Sequence, residues 1–191
     1  MLALLEVTPA MQPMLDALAR RYPHSALRLR DDPFGIAVFA RQPLVGARFE
    51  QRDGEPLVLA AQLALVDGSQ VALRVLHLAP PLNREMLAIR DGVLRRLARE
   101  PLSDRAGPGA IAVGDFNATA WTPAVRELAA AGWSRATPLV PTWNFVLPID
   151  HVLATRGRWQ MEHSGVGPRT GSDHRPVWAD LVLRPAAAPE R

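Results

Sequence analysis

The sequence predicts an α/β fold of the α+β kind, a sandwich of mixed or antiparallel sheets flanked by helices. Three observations predict it. Short apolar segments with strand character recur along the whole chain. Only a few stretches carry helical periodicity, and they are interspersed among the strands rather than alternating with them. Some neighbouring strand segments are joined by hairpin signals, of which Asp67-Gly68 is the strongest.

In chain order, residues 2–5 form an apolar run suited to a buried strand. Thr8-Pro9 then opens a helix as a capping residue followed by proline in the first turn. Met11, Leu15 and Leu18 mark its face, and Tyr22-Pro23 ends it after about Arg20. Strands are expected at 25–30, 34–40, 57–66 and 70–78. Asn83 caps a second helix that buries Met86, Leu87, Val93, Leu94 and Leu97 and turns Arg84, Arg95 and Arg99 outward. Residues 103–109 read as a loop rich in glycine, proline and charge. A buried strand follows at 110–113. A third helix runs from Thr122-Pro123 to about Ala131 and is stopped by Gly132. Strands at 149–154, 159–166 and 176–183 complete the pattern. No repeat or internal boundary is visible, so residues 1–184 are expected to form one domain and 185–191 a flexible tail.

Composition narrows the function classes. A length of 191 residues suits one domain with a substantial core. No apolar run approaches the roughly 20 residues that cross a bilayer, so the chain as given is expected to be soluble. Met1 leads straight into Leu2-Ala3-Leu4-Leu5-Glu6 without a basic lead and cleavage site, so no secretory signal is expected. The absence of cysteine excludes disulfides, thiolate metal sites and cysteine nucleophiles together. All 22 basic residues are arginine, whose guanidinium grips phosphate oxygens with two donors. Compositional bias in a chain rich in alanine, leucine and proline accounts for most of them. A formal charge of +3 suits an anionic partner without demanding one.

The chemistry concentrates in a few short segments. Gly114-Asp115-Phe116-Asn117 follows the apolar run 111–113. On an extended backbone Asp115 and Asn117 point the same way, so a carboxylate and an amide face one ligand. A carboxylate can orient a water or take its proton, and an amide donates to phosphate oxygens. The same residues also suit a tight turn. Ile149-Asp150-His151 and Ser172-Asp173-His174 each place Asp-His beside an apolar strand, where a carboxylate can fix a histidine tautomer. Glu6 ends the first apolar run, where a carboxylate can meet a hard cation or simply be solvated. His77 ends the strand before Ala79-Pro80-Pro81, either to touch a phosphate or to pack under the loop. Trp121 and Trp143 follow motif segments and could line a pocket, although core packing suits Trp143 better. Trp178 is expected in the core. His24 and His163 fall outside the motifs and read as surface residues.

Taken in order, Leu4-Leu5-Glu6-Val7, His77, Gly114-Asp115-Phe116-Asn117, Ile149-Asp150-His151 and Ser172-Asp173-His174 resemble the endonuclease/exonuclease/phosphatase superfamily, the fold of DNase I. Phe34-Gly35-Ile36-Ala37 and Pro141-Thr142-Trp143 add to the resemblance, which covers residues 2–183. It implies a four-layered sandwich and a Mg²⁺- (or Mn²⁺-) dependent hydrolase of phosphate esters, either a phosphodiesterase or a phosphatase. By the same resemblance Glu6 would hold the metal, with Asp173 in its inner or outer shell. Asp115 would orient or deprotonate the attacking water, and Asn117 would position that water and the phosphate. His174 would contact the scissile phosphate with Asp150 hydrogen-bonded behind it. His77 would add a second donor, and His151 would support the Asp150 strand rather than the chemistry.

The compact loops are most similar to a bacterial branch that carries this domain after membrane helices, which would place the full-length protein at a membrane, outside the cytoplasm. They argue against a dedicated DNA enzyme. The family normally opens with an earlier strand ending in a metal-holding asparagine. That strand is absent here, so an open sheet edge, weak metal binding and low activity are expected. Two alternatives stand beside the phosphoesterase: a nuclease acting on DNA or RNA, and a catalytically impaired binding or regulatory module of the same fold.

Overall fold

The structure, a computed structural model, describes residues 1–100 and 109–184. The expected tail at 185–191, and the expected loop at 103–109 apart from Gly109, lie outside the described residues. The strands are β1 (Leu2–Leu5), β2 (His24–Arg28), β3 (Ile36–Ala40), β4 (Leu44–Glu50), β5 (Val58–Ala64), β6 (Gln70–His77), β7 (Ala110–Asp115), β8 (Trp133–Arg135), β9 (Asp150–Thr155), β10 (Trp159–Val166) and β11 (Val177–Leu183). The helices are α1 (Gln12–Ala19), entered through a 3-10 turn at Pro9–Met11, α2 (Arg84–Arg99) and α3 (Pro123–Ala130).

Strands β4-β5-β6-β7-β9-β8 form a six-stranded mixed sheet in which only β6 and β7 run parallel. Strands β1-β3-β2 form a three-stranded antiparallel sheet, and β10 pairs with β11. Alternation along each strand divides the apolar side chains between layers. One face of the large sheet sends Leu73, Val75, Ile111, Val113 and Val152 against Ile36 and Val38 of β3 and against Val177, Ala179 and Leu181 of β11. Its other face packs Leu76, Ala112 and Leu153 on Val93, Leu94 and Leu97 of α2 and on Val125 and Leu128 of α3. Beyond the small sheet, α1 inserts Leu15 against Val7, Ala37 and Phe39. Four layers result, helix–sheet–sheet–helix, each held by burial worth roughly 1.5–3 kcal/mol per large apolar side chain. Among the described residues no helix is long and apolar enough to cross a membrane.

Several elements depart from the sequence pattern for identifiable reasons. Strand β4 was not expected, because it is an edge strand with Gly46 at φ 60° and a register shift between Val45 and Arg48, which break the alternation. Strand β8 is only three residues long. Thr8 and Thr122 precede their helices without a side-chain capping bond, whereas Asn83 Oδ1 accepts from the Met86 amide as expected. Leu87 is 39% exposed because the buried stripe of α2 runs through Arg90, Val93, Leu94 and Leu97 instead. Trp178 is 45% exposed rather than core. The inward positions of β11 are Val177, Ala179 and Leu181, so alternation turns the indole to the outer face, over Gly165.

Two glycines set the close approaches on which the strand ends depend. A Cβ on Gly35 would lie 2.0 Å from the Val7 carbonyl oxygen, and one on Gly114 would lie 1.9 Å from that of Leu76. Gly114 also has φ 136°, a conformation that L side chains rarely adopt. Gly114→Ala should therefore separate β7 from β6 and destabilise the fold by about 2–3 kcal/mol. Urea unfolding of the variant checks this; a midpoint equal to that of the parent would show that the approach is not needed.

Candidate active site

The register of three adjacent strands builds one wall of the site. His77 ends β6 level with Asp115 at the end of the parallel strand β7, and Asp115 is level with Asp150 at the start of antiparallel β9. These positions continue the rows of Val75, Val113 and Val152, so all three side chains stand on the face that meets the second sheet layer. Glu6 reaches the same spot from the opposite layer, immediately after β1. His174 arrives on the segment before β11.

Distances tie these groups into one cluster. His77 Nδ1 bonds the Pro33 carbonyl at 2.8 Å, which fixes that nitrogen as the donor and turns Nε2 toward the carboxylates. Nε2 lies 3.7 Å from Glu6 Oε1 and 3.7 Å from Asp115 Oδ2. His174 Nδ1 donates to Asp150 Oδ2 at 2.9 Å, and its Nε2 lies 3.9 Å from Asp115 Oδ2. The Asp115, Asp150 and His174 ligand atoms all lie within 4.8 Å of one another and could hold a metal ion.

Negative charge is concentrated here beyond what the nearby cations offset. Burial, then the charge of Asp150, pushes the Asp115 carboxyl up to about 7. Burial works against a charged His174, but its hydrogen bond to Asp150 and the charges of Asp150, Asp115 and Asp173 outweigh that and raise it to about 9. Burial lowers the pKa of His77 even though Glu6 pulls the other way. Oxygen donors crowded at this density fit a hard divalent cation, which would relieve the repulsion among them.

Asp115 and Asn117 meet through a turn and not along an extended strand. Asn117 has φ 45°, its backbone N–H donates to Asp115 Oδ1 at 2.7 Å, and its Nδ2 donates to Asp115 Oδ2 at 3.1 Å and to the Leu78 carbonyl at 2.7 Å. The turn residues and the facing carboxylate and amide are therefore the same feature. Two buried side chains pin the turn from behind. Arg90 donates to the Asn117 carbonyl at 2.7 Å while Asp91 neutralises its guanidinium, and His151 Nε2 donates to the Ala118 carbonyl at 2.8 Å. His151 is 1% exposed and packs edge-on against Phe116. Burial lowers its pKa.

Asp173 is exposed and engaged elsewhere. Its carboxylate accepts from Trp143 Nε1 at 3.1 Å, and its backbone carbonyl accepts from the Asn144 amide at 3.2 Å. It stands outside the group of three that could hold an ion. Trp143 is half-buried and bridges to His174, while Trp121 is 59% exposed on the loop after Asn117. His24 is half-buried and His163 exposed.

Sequence reading missed Arg90 and the full part played by Thr142. Arg90 falls on the stripe 90, 93, 94, 97, so an arginine on a buried helix face was the available signal. Thr142 is 1% exposed, and its Oγ1 accepts from the Ile149 and Asp150 amides at 3.2 and 3.3 Å, which sets the start of β9.

The fold is a four-layered sandwich with carboxylates, an amide and histidines gathered at one rim. The chain belongs to the Endonuclease/Exonuclease/phosphatase family, whose model matches residues 1–174. Solved structures share the fold. An endonuclease/exonuclease/phosphatase from Beutenbergia cavernae superposes with a TM-score of 0.72 at 21% identity, over 93% of this chain and 58% of that one. The 3′ phosphatase NExo from Neisseria, bound to product DNA hairpin, gives 0.70 at 12% identity over 94% and 97%. The human Nocturnin catalytic domain with bound sulfate gives 0.70 at 18% over 95% and 80%. This chain thus spans 58% of the length of the Beutenbergia protein. No curated protein matches the chain significantly.

The buried His151 makes stability depend on pH. Its folded-state pKa lies below the ordinary 6.5, so below that pH the unfolded chain binds a proton that the folded chain resists. The contribution is complete above pH 6.5 and is lost as pH falls toward the folded-state value. His151→Gln, which keeps a donor for the Ala118 carbonyl, should shift the slope of Tm between pH 6.5 and about 5 toward less loss on acidification, on a background in which His77 titrates in the same sense and the raised Asp115 in the opposite one. Calorimetric scans across that range test it; parallel curves would exclude His151 as a source.

Proposed function

We propose that residues 1–184 form a catalytic domain that hydrolyses phosphate esters with a divalent metal ion, Mg²⁺ or Mn²⁺. The observation that carries this reading is the convergence of Glu6, His77, Asp115, Asn117, Asp150 and His174 at one inter-sheet rim. Family membership supports the reaction class. Glu6 and the neighbouring carboxylates would hold the ion, with Asp173 free to join it by giving up its indole contact. When bound, the ion offsets charge that builds on the phosphoryl oxygens.

The chain's own residues account for the remaining work. The two hydrogen bonds from Asn117 to Asp115 and Leu78 leave its amide oxygen as an acceptor able to orient a water, and Asp115 Oδ2 lies beside it to take that water's proton. A buried carboxyl raised toward neutral pH is a stronger base than an exposed one. His174 is kept cationic by Asp150, so its Nε2–H serves as a charge-assisted donor to a phosphoryl oxygen or to the departing ester oxygen. His77 offers Nε2 between Glu6 and Asp115, 3.7 Å from each carboxylate. Such positioning and electrostatics are most of what phosphoryl transfer asks of a protein.

Turnover of bis-p-nitrophenyl phosphate tests the proposal. The parent chain should need Mg²⁺ or Mn²⁺ and lose activity in a chelator. His174→Ala should lower kcat about 10²- to 10⁴-fold. Glu6→Gln should raise the metal concentration needed for half-maximal rate. Turnover that ignores both the chelator and His174→Ala would sink the reading, and a complete lack of turnover would favour a binding module.

A further inference from the structure

The turn after Asp115 presents two main-chain amides that the chain itself does not use. The Asn117 carbonyl accepts from Arg90 Nη1 at 2.7 Å, and the Ala118 carbonyl accepts from His151 Nε2 at 2.8 Å. Among the described residues no peptide bond is cis. In a planar trans peptide the N–H that follows a carbonyl points the opposite way. The amides of Ala118 and Thr119 are therefore turned away from Arg90 and His151. Among the described residues neither amide has a hydrogen-bond acceptor. The two amides just before them are engaged, Phe116 with the Ile149 carbonyl and Asn117 with Asp115 Oδ1. Yet Ala118 is 2% exposed and Thr119 8%. Main-chain donors left open at buried positions are rare, and each costs free energy until an acceptor arrives.

The residues behind the turn fix the direction of these donors. Arg90 lies on α2. His151 follows Asp150 on β9, so its ring falls on the helix-facing side of the large sheet, against Phe116. Both carbonyls are drawn to that side. The two amides face the other way, toward the side on which Asp115 and Asp150 stand. Covalent continuity keeps them close to the cluster: the Ala118 nitrogen is bonded to the carbonyl carbon of Asn117, whose Nδ2 lies 3.1 Å from Asp115 Oδ2. Two consecutive N–H dipoles aimed the same way, with no acceptor of their own, form a cradle for an oxyanion. We propose that the Ala118 and Thr119 amides donate to a phosphoryl oxygen of the bound ester, and that Arg90 and His151 are positioning residues that hold the pair in place. This rests on the phosphoesterase reading above and adds to it donors that no side chain supplies. Because the donors are fixed in the folded chain, they need no rearrangement as charge builds on the phosphoryl oxygens.

Amide proton resonances of the isotopically labelled chain, followed while inorganic phosphate is added in the presence of Mg²⁺, test it. The Ala118 and Thr119 protons should move downfield as phosphate binds, and chloride at equal ionic strength should leave them where they are. Lactate in place of Ala118 turns one N–H into an ester oxygen and keeps the methyl group. That change should weaken phosphate binding about ten- to a hundred-fold, the range of a hydrogen bond to a charged group. It should lower kcat on bis-p-nitrophenyl phosphate about 10²- to 10³-fold, as the loss of one oxyanion donor does. Arg90→Met should blunt the response of both amides to phosphate, and Arg90→Lys, which keeps a donor for the Asn117 carbonyl, should recover part of it. If Arg90→Met does not fold, the lactate variant alone decides. Amides that ignore phosphate overturn the proposal, as does phosphate affinity that the lactate variant retains; the donors then serve an ordered water. The resonances need no turnover. Amides that bind phosphate in a chain that hydrolyses nothing leave the cradle standing and sink only the hydrolase reading, whereas silent amides in an active chain sink the cradle alone.

Discussion

The lateral register of β6, β7 and β9 is the constraint on which the site depends. Because His77, Asp115 and Asp150 are level across three strands, one backbone ladder delivers an imidazole and two carboxylates to a single face at a single edge. A slip of one residue in any of the strands would turn its contribution to the opposite face, into the layer that packs on α2 and α3. Gly114 sits one residue before Asp115, where β7 passes closest to the Leu76 carbonyl. The same glycine that permits the contact therefore sets where the acid emerges. Gly35 does the equivalent for the other sheet, letting Val7 dock between Gly35 and Arg30 so that Glu6 turns inward.

A cleft that gathers three carboxylates opposes its own formation, and the surroundings show how the opposition is contained. Asp150 is matched by the His174 hydrogen bond, and Asp115 by backbone and amide donors from Asn117, with His174 Nε2 3.9 Å away. Arginine enters the vicinity only indirectly, through Arg90. That guanidinium is spent on Asp91 and on the Asn117 carbonyl, so it braces the turn without cancelling the charge in front of it. His151 acts in the same way on the next carbonyl, as a neutral ring held neutral by burial. The shell behind the turn cancels little of the rim's charge, which under the proposed function an ion and a phosphate would meet.

The parts of this architecture legible in the sequence are those with a local cause. Apolar runs ending in Glu6, His77 and Asp115, the Asn83 cap and the Asp67-Gly68 hairpin are written in adjacent residues. What stayed hidden depends on distant partners. The β4 edge strand has no apolar run of its own and is recruited by pairing with β5. Trp178 looked like core because its strand is apolar, but which face is inward depends on what the β10–β11 pair packs against. Asp115 and Asn117 were legible both as a pair aligned along a strand and as a turn, and they meet through a left-handed turn whose carbonyl is held by Arg90, 27 residues upstream, which nothing at positions 115–117 announces. Asp173 was read as an inner- or outer-shell metal ligand from Ser172-Asp173-His174; what its place in the chain did not announce is that its Oδ2 also accepts from Trp143 Nε1.

Backbone strain gives an independent view of where function lies. Among the described residues the non-glycine positions with positive φ are Glu6, Asn117, Asn144 and Phe145; the first two touch the carboxylate–histidine cluster, and the last two follow Trp143, which bridges His174. The asparagines tolerate the left-handed region at little cost, and Asn117 is further held by Arg90 and by its own bonds to Asp115. Glu6 and Phe145 have no such ease, and each forgoes about 1–2 kcal/mol by staying there. For Glu6 the return is evident, because the conformation turns its carboxylate toward His77. For Phe145 the folded chain offers only the Arg169 contact, worth about 0.5–1 kcal/mol at an exposed site. Among the described residues that guanidinium is the ring contact set against the backbone cost.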